Sequence, residues 1–289
     1  MAEKPGFVFV HGAWHNHNTW DRVIPPLQAE GFVTTAFDLP GAGANAKLPQ
    51  SWLARPFEPQ AFATEPSPNA GTTQAERTEA AIDAVRETGA RSGGRVVLVG
   101  HSLGGATVSH VAEAVPELLA ATVYVSAFLL PPGMPPIDMI QDETMVEALV
   151  PSLFAAPPPQ IGAMRVNFRS TDPEYRERIR QAYCGDIDGE MFEEALSHLH
   201  CDEPAQVTTV PSPVTRQRFG RVPRHYVHCT RDRAVTPEGQ KKMIALMDEA
   251  MGNATVVHTL AASHSPFDSQ PEALAGILAA VASDDAMSA

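Results

Sequence analysis

The sequence predicts an α/β protein: a mostly parallel sheet with helices on both faces and an inserted helical cap. Three observations carry this. Short apolar runs rich in β-branched residues alternate with longer stretches of helical spacing, the pattern of strand-helix-strand units. One run, Val96-Val97-Leu98-Val99, leads straight into Gly100-His101-Ser102-Leu103-Gly104-Gly105 and then a helical pattern. The stretch 131–223 then breaks the rhythm, opening on Pro131-Pro132-Gly133 and carrying amphipathic segments at 173–183 and 190–199.

Taken in order, the strands are expected at 7–10, 33–37, 96–99, 121–125, 225–229 and 255–260. Each is near-continuously apolar, as strands buried on both faces should be. Helices are expected at 72–87, opening on the capping pair Thr72-Thr73, at 104–114, at 237–251 with Pro237 in its first turn, and at 271–282. Residues 41–71, rich in Pro, Ala and Ser without a clean period, read as a long surface excursion. The expected domains are therefore a core of residues 1–130 and 224–289, with the cap 131–223 inserted between two of its strands.

Composition narrows the function. The chain has 289 residues, 44% hydrophobic and 19% charged, the balance of a folded protein. Its net charge of -13 repels phosphate backbones and anionic membrane surfaces, so neither nucleic acid nor membrane is an expected partner. Residues 1–7 lack an apolar leader and no run approaches the roughly 20 apolar residues of a membrane span, so a cytoplasmic location is expected. Cys184, Cys201 and Cys229 have no C-x-x-C spacing and read as buried thiols.

The strand-turn-helix context makes Gly100-His101-Ser102-Leu103-Gly104 a nucleophile elbow. Its turn holds Ser102 in a strained backbone conformation, and a side chain at 100 or 104 would strike the neighbouring strand or helix. A serine needs a base. His264, just after the last strand in Ser263-His264-Ser265-Pro266, is the best placed, because His110 lies in a helix, His198 and His200 in the cap, and His225, His228 and His258 in strands. Asp232, at the end of the preceding strand, is the expected orienting acid, while Asp186, Asp188 and Asp202 belong to the cap and Asp38 forms a turn. The backbone amides of Ala13 and Leu103 are the expected oxyanion donors, with Gly12 giving the early loop its tight bend. No cofactor is expected. The clusters His11/His15/His17 and His198/His200/Cys201/Asp202 fall on the oxyanion loop and a cap helix end, so no metal site is assigned to them.

Together these residues resemble the α/β-hydrolase superfamily, in its branch of plant methylesterases, hydroxynitrile lyases and small bacterial carboxylesterases. His11-Gly12-Ala13 with His15 and Trp20 is similar to that branch's opening pattern, although Asn16 and His17 stand where glycines are usual. The resemblance implies nucleophile Ser102, base His264, acid Asp232 and oxyanion donors Ala13 and Leu103. Gly12 in place of a threonine and Ser265 in place of a lysine disfavour cyanohydrin cleavage, and Ser102 disfavours the carboxylate-nucleophile hydrolases of this fold.

The expected activity is hydrolysis of a small to medium, mostly apolar carboxylic ester through an acyl-enzyme. A ligand sensor, or a cofactor-free perhydrolase or carbon-carbon lyase, would fit the same triad. Trp14, Met134, Phe154 and Phe168 are expected to contact substrate, alongside Met139, Met164 and Met191 as cap residues that could line a pocket. The oligomeric state stays open, with a homodimer as one option.

Overall fold

The computed structural model describes residues 4–284; residues 1–3 of the 1–7 stretch and the end of the expected core, 285–289, lie outside the described residues. Six strands, β1 (Gly6–Val10), β2 (Thr34–Ala36), β3 (Val96–His101), β4 (Leu119–Val125), β7 (Arg224–Cys229) and β8 (Val256–Leu260), form one sheet in the order β2-β1-β3-β4-β7-β8. Every pairing in it is parallel. Strands β5 (Ala163–Arg165) and β6 (Asp202–Pro204) pair antiparallel in a small second sheet.

Alternation along the central strands divides the core into two layers. Phe7, Phe9, Val97, Val99, Val123 and Val227 pack with Trp20, Leu27 and the helix Pro271–Asp284, whose Leu274 and Leu278 are fully buried. Val8, Val10, Leu98, Tyr124 and Tyr226 face the other way, onto helices α1 (Gln74–Ala90) and α2 (Gly104–Ala114) and the inserted segment. Each such side chain taken fully out of water contributes about 1.5–3 kcal/mol before entropy is counted.

Helix α1 starts where a capping box closes it. The Glu76 amide donates to Thr73 Oγ1 at 3.2 Å and the Thr73 amide to Glu76 Oε2 at 2.7 Å, so Thr73 is the cap and Thr72 precedes it. Helices α3 (Pro173–Tyr183) and α4 (Gly189–Ser197) lie in the inserted segment, and α5 (Pro237–Met251) follows β7.

Three expectations need correction. The two outer strands are not buried on both faces: β2 is half-buried throughout, and Val256 and Val257 of β8 are 51% and 46% exposed, because helix cover runs out at the sheet edges. The inserted segment is not purely helical, since it holds the β5-β6 pair. And residues 41–71 do more than cross the surface. Trp52 and Phe62 stack 5.4 Å apart and are 2% exposed. Arg165 of β5, fully buried, donates to both oxygens of Asp202 at 2.6 Å and gives Nη1 to the Phe62 and Glu65 carbonyls at 2.6 and 2.7 Å. A buried guanidinium needs all those acceptors, and satisfying it ties the excursion to the inserted segment.

Candidate active site

Strand β3 delivers Ser102 at the carboxyl edge of the sheet with φ +52°, in the left-handed region that a non-glycine residue enters only where the surroundings enforce it. The glycines around it make that turn feasible. A Cβ at Gly100 would come within 2.5 Å of Val108 on α2, and one at Gly104 within 2.5 Å of the His11 carbonyl on the loop after β1. Gly12 serves differently from the expectation. Its φ is not positive; instead a Cβ there would lie 2.7 Å from the Ser102 Cβ, so glycine is needed for close approach to the elbow. The unusual backbone of this loop is at Trp14, φ +63°.

Asp232 and His264 sit on the loops after β7 and β8. His264 Nδ1 donates to Asp232 Oδ2 at 2.8 Å, and both side chains are buried. The carboxylate is held by three further donors: the amides of Ala234 and Val235 reach Oδ1 at 2.7 and 2.9 Å, and Gln240 Nε2 reaches Oδ2 at 3.0 Å. Such a set fixes the carboxylate's orientation and leaves the imidazole with Nε2 as its second nitrogen. Ser102 and His264 line one cavity with Ala13 and Leu103. Among the described residues neither the Ala13 nor the Leu103 amide donates to a backbone carbonyl.

Three more histidines surround this group, all driven toward the neutral form. Burial pushes His11 down to about 3 and His15 down to about 4, and holds His101 well below its ordinary value. The Leu39 amide donates to His11 Nε2 at 3.1 Å, so the His11 proton sits on Nδ1 and points to the Gly12 carbonyl at 2.8 Å. His101 Nε2 lies 3.0 Å from the His264 carbonyl, joining the elbow to the loop that carries the candidate base.

The inserted segment supplies the opposite wall. Ile140, Met145, Val150, Phe154, Met164 and Tyr183 close a cavity of about 50 Å³ over Ser102. The segment also grips the early loop: Trp14 Nε1 donates to the Met164 carbonyl at 2.8 Å, the His200 amide to the Trp14 carbonyl at 2.9 Å, and the Trp14 amide to Glu203 at 3.4 Å. Glu203 itself is paired with buried Arg77 of α1.

Of the four expected substrate contacts, Trp14 and Phe154 line the cavity, whereas Met134 and Phe168 do not. Met134 packs against the core, with the Ser212 amide on its carbonyl at 3.1 Å. Phe168 stands edge-on behind Trp14 and Tyr183, at centroid distances of 6.2 and 5.7 Å. Sequence reading missed Gln240, one helix turn into α5, and the support given by Asp186, which is not the acid but accepts from the Ser263 amide at 2.9 Å and from its hydroxyl, bracing the His264 loop from the inserted segment. Neither could be found from spacing, because each acts on a residue of another element. Among the described residues no group of three or more His, Cys, Asp or Glu is placed to hold a metal: His17 bonds Asp38, and Asp202 pairs with Arg165.

Residues 7–277 match the family model described as the alpha/beta hydrolase family. A pyrethroid hydrolase of Sphingobium wenxiniae is 27% identical over 278 residues, covering 94% of this chain and 85% of that protein. Esterase PIR7B of Oryza sativa subsp. japonica is 29% identical over 287 residues, 97% of each chain. The crystal structure of a pyrethroid hydrolase from Sphingobium faniae superposes with a TM-score of 0.73 at 24% identity, covering 96% and 97% of the two chains, a likeness of fold.

Proposed function

The chain belongs to the alpha/beta hydrolase family, and from that premise we propose that it is a serine hydrolase of carboxylic esters. The observation that carries the reading is a cavity lined by a strained serine, an aspartate-bound histidine and Ala13 and Leu103, whose amides give no bond to a backbone carbonyl, opposite an apolar wall. Its relatives named esterase and pyrethroid hydrolase support the same class of bond.

In this reading Ser102 Oγ attacks the ester carbonyl carbon as its proton passes to His264 Nε2. Asp232 stabilises the imidazolium through Nδ1. The negative oxygen of the tetrahedral intermediate is held by the Ala13 and Leu103 amides, with the N-terminus of α2 beneath it; one such donor is worth about 2.7–4 kcal/mol in the transition state. The C–O bond then breaks, the alcohol leaves with the proton from His264, and water activated by the same imidazole hydrolyses the acyl-enzyme and restores Ser102. Among the described residues Ser102 Oγ makes no hydrogen bond to His264, and in this reading that bond forms as substrate binds, since catalytic hydrogen bonds commonly become aligned only in the complex. Residues 131–223 act as the cap over a core of 1–130 and 224–289.

The apolar lining favours an uncharged ester of small to medium size. Hydrolysis of 4-nitrophenyl acetate is the test: Ser102→Ala should lower kcat/KM by at least about a thousandfold. Undiminished turnover by that variant would end the reading. Tight binding of an apolar ligand without turnover would mark a sensor instead.

A further inference from the structure

A second hollow lies against the first. A cleft of about 860 Å³ opens between the 41–71 excursion and the inserted segment. Among the described residues Phe154 alone lines both this cleft and the cavity over Ser102.

The inner cavity, about 50 Å³, has room for only a few waters. A ring does not fit within that volume as it stands, so a ring-bearing ester must either reach outward or displace a wall. The backbone on either side of Phe154 is pinned. Tyr175 donates its hydroxyl to the Leu153 carbonyl at 2.5 Å, the Ala155 amide donates to the Arg165 carbonyl at 2.8 Å, and Phe154 bridges Val166. The Phe154 ring is only half-buried, its centroid 6.3 Å from that of Trp14, so it can turn about its side-chain torsions while the chain stays in place.

The far side of the cleft is already built. Phe57 packs on Phe62 at 5.4 Å, Phe62 stacks on Trp52, and the Arg169 guanidinium lies 4.6 Å over the Trp52 ring. Arg165 holds the Phe62 and Glu65 carbonyls from a fully buried position, which fixes this wall before anything binds. Trp52 and Phe62 are themselves buried, so what this wall presents to the cleft is the half-buried Phe57 ring and the exposed Arg169 guanidinium that they back, and these suit a flat aromatic group through ring contacts and cation-π attraction. A purely aliphatic chain would use none of that.

We propose that this cleft is an outer binding compartment for an aromatic group of the ester, joined to the catalytic cavity when the Phe154 ring swings aside. The proposal rests on the ester-hydrolase reading and adds the shape of the substrate: an ester with its carbonyl at Ser102 and a ring system reaching past Phe154. Residues 41–71 thereby become a specificity element.

The test compares ethyl acetate with two larger esters, 4-benzyloxybenzyl acetate and ethyl 4-benzyloxyphenylacetate, which carry the two-ring group on the alcohol and the acyl side respectively. Ala63→Trp fills the cleft from a half-buried position, and Phe57→Ala strips part of its wall. Ala63→Trp should lower kcat/KM for at least one two-ring ester about tenfold, and Phe57→Ala should raise its KM about fivefold, with ethyl acetate changed less than about twofold. Phe154→Ala should speed the same two-ring ester relative to ethyl acetate. Equal effects on small and large esters would overturn the compartment, as would a wild-type enzyme that hydrolyses ethyl acetate and neither two-ring ester. In both cases the esterase reading survives. An enzyme inactive on all three, with Ser102 unlabelled by a fluorophosphonate, would remove that reading and this proposal with it.

Discussion

Replacing Gln240 by leucine removes an amide that connects the end of β7 to Asp232. Gln240 is fully buried; its Nε2 donates to Asp232 Oδ2 at 3.0 Å and to the Val235 carbonyl at 2.7 Å, while Oε1 accepts from the Cys229 amide at 3.0 Å. Asp232 would lose one of its four donors, a bond to a charged group worth about 1.5–3 kcal/mol, and the stranded Cys229 amide would cost about 1–3 kcal/mol. The variant should therefore lose about 3–5 kcal/mol of unfolding free energy, less if a water enters. Catalysis should suffer separately. With the carboxylate freer to shift, the imidazole is less well aimed, and kcat on 4-nitrophenyl acetate should fall about ten- to a hundredfold. Gln240 does not line the cavity, so KM should stay within about twofold. Urea unfolding and steady-state kinetics on the same preparation read both effects. A stable Gln240→Leu variant with wild-type kcat would refute the reasoning. If the variant does not fold, Gln240→Glu, which keeps the shape but places oxygen against Asp232 Oδ2, should show the kcat loss.

Gly104→Ala should destabilise the fold by about 1–3 kcal/mol, read as a lower melting temperature, because its Cβ would press on the His11 and Val10 carbonyls, which are backbone and cannot swing away. Asp268 is pushed up to about 7, chiefly by burial, with Arg22 opposing and Glu194 and Asp186 adding to the rise. Between about pH 4 and 7 the native chain thus holds a proton that the unfolded chain has released, so this residue's contribution to stability is full below pH 4 and lost as the pH climbs through 7. Asp268→Asn should gain on the wild type in urea midpoint across that window; a constant difference would contradict the shift. The neutral histidines act in the opposite sense. His11, His15 and His101 take up protons more readily when unfolded, so stability should fall as the pH drops from about 6.5 toward 4, and His15→Phe should lessen that acid loss in urea unfolding.

Legibility in the sequence followed the range of the interaction. The elbow was readable because strand, strained turn, glycines and helix are contiguous, and the bounds 104–114 of α2 and 237–251 of α5 coincide with the expected ones. The His264 and Asp232 positions followed from loop order along a parallel sheet. What stayed hidden depends on contacts between distant segments. Trp52 and Phe62 have no periodicity to announce burial, and only Arg165, a hundred residues on, shows why they are inside. Val256 and Val257 read as core because apolar character does not reveal which strand ends a sheet. Gly12 reads as a bend in the sequence, whereas glycine is needed there for close approach to Ser102, a distinction that only the meeting of two loops exposes.

The most direct measurement is fluorophosphonate labelling of the wild type, Ser102→Ala and His264→Ala, with the adduct located by peptide mass spectrometry and its formation followed in time. A phosphonyl group confined to Ser102, formed many-fold more slowly in His264→Ala and absent from Ser102→Ala, is the predicted result. An adduct on another residue, or equal labelling rates with and without the His264 imidazole, would contradict the account.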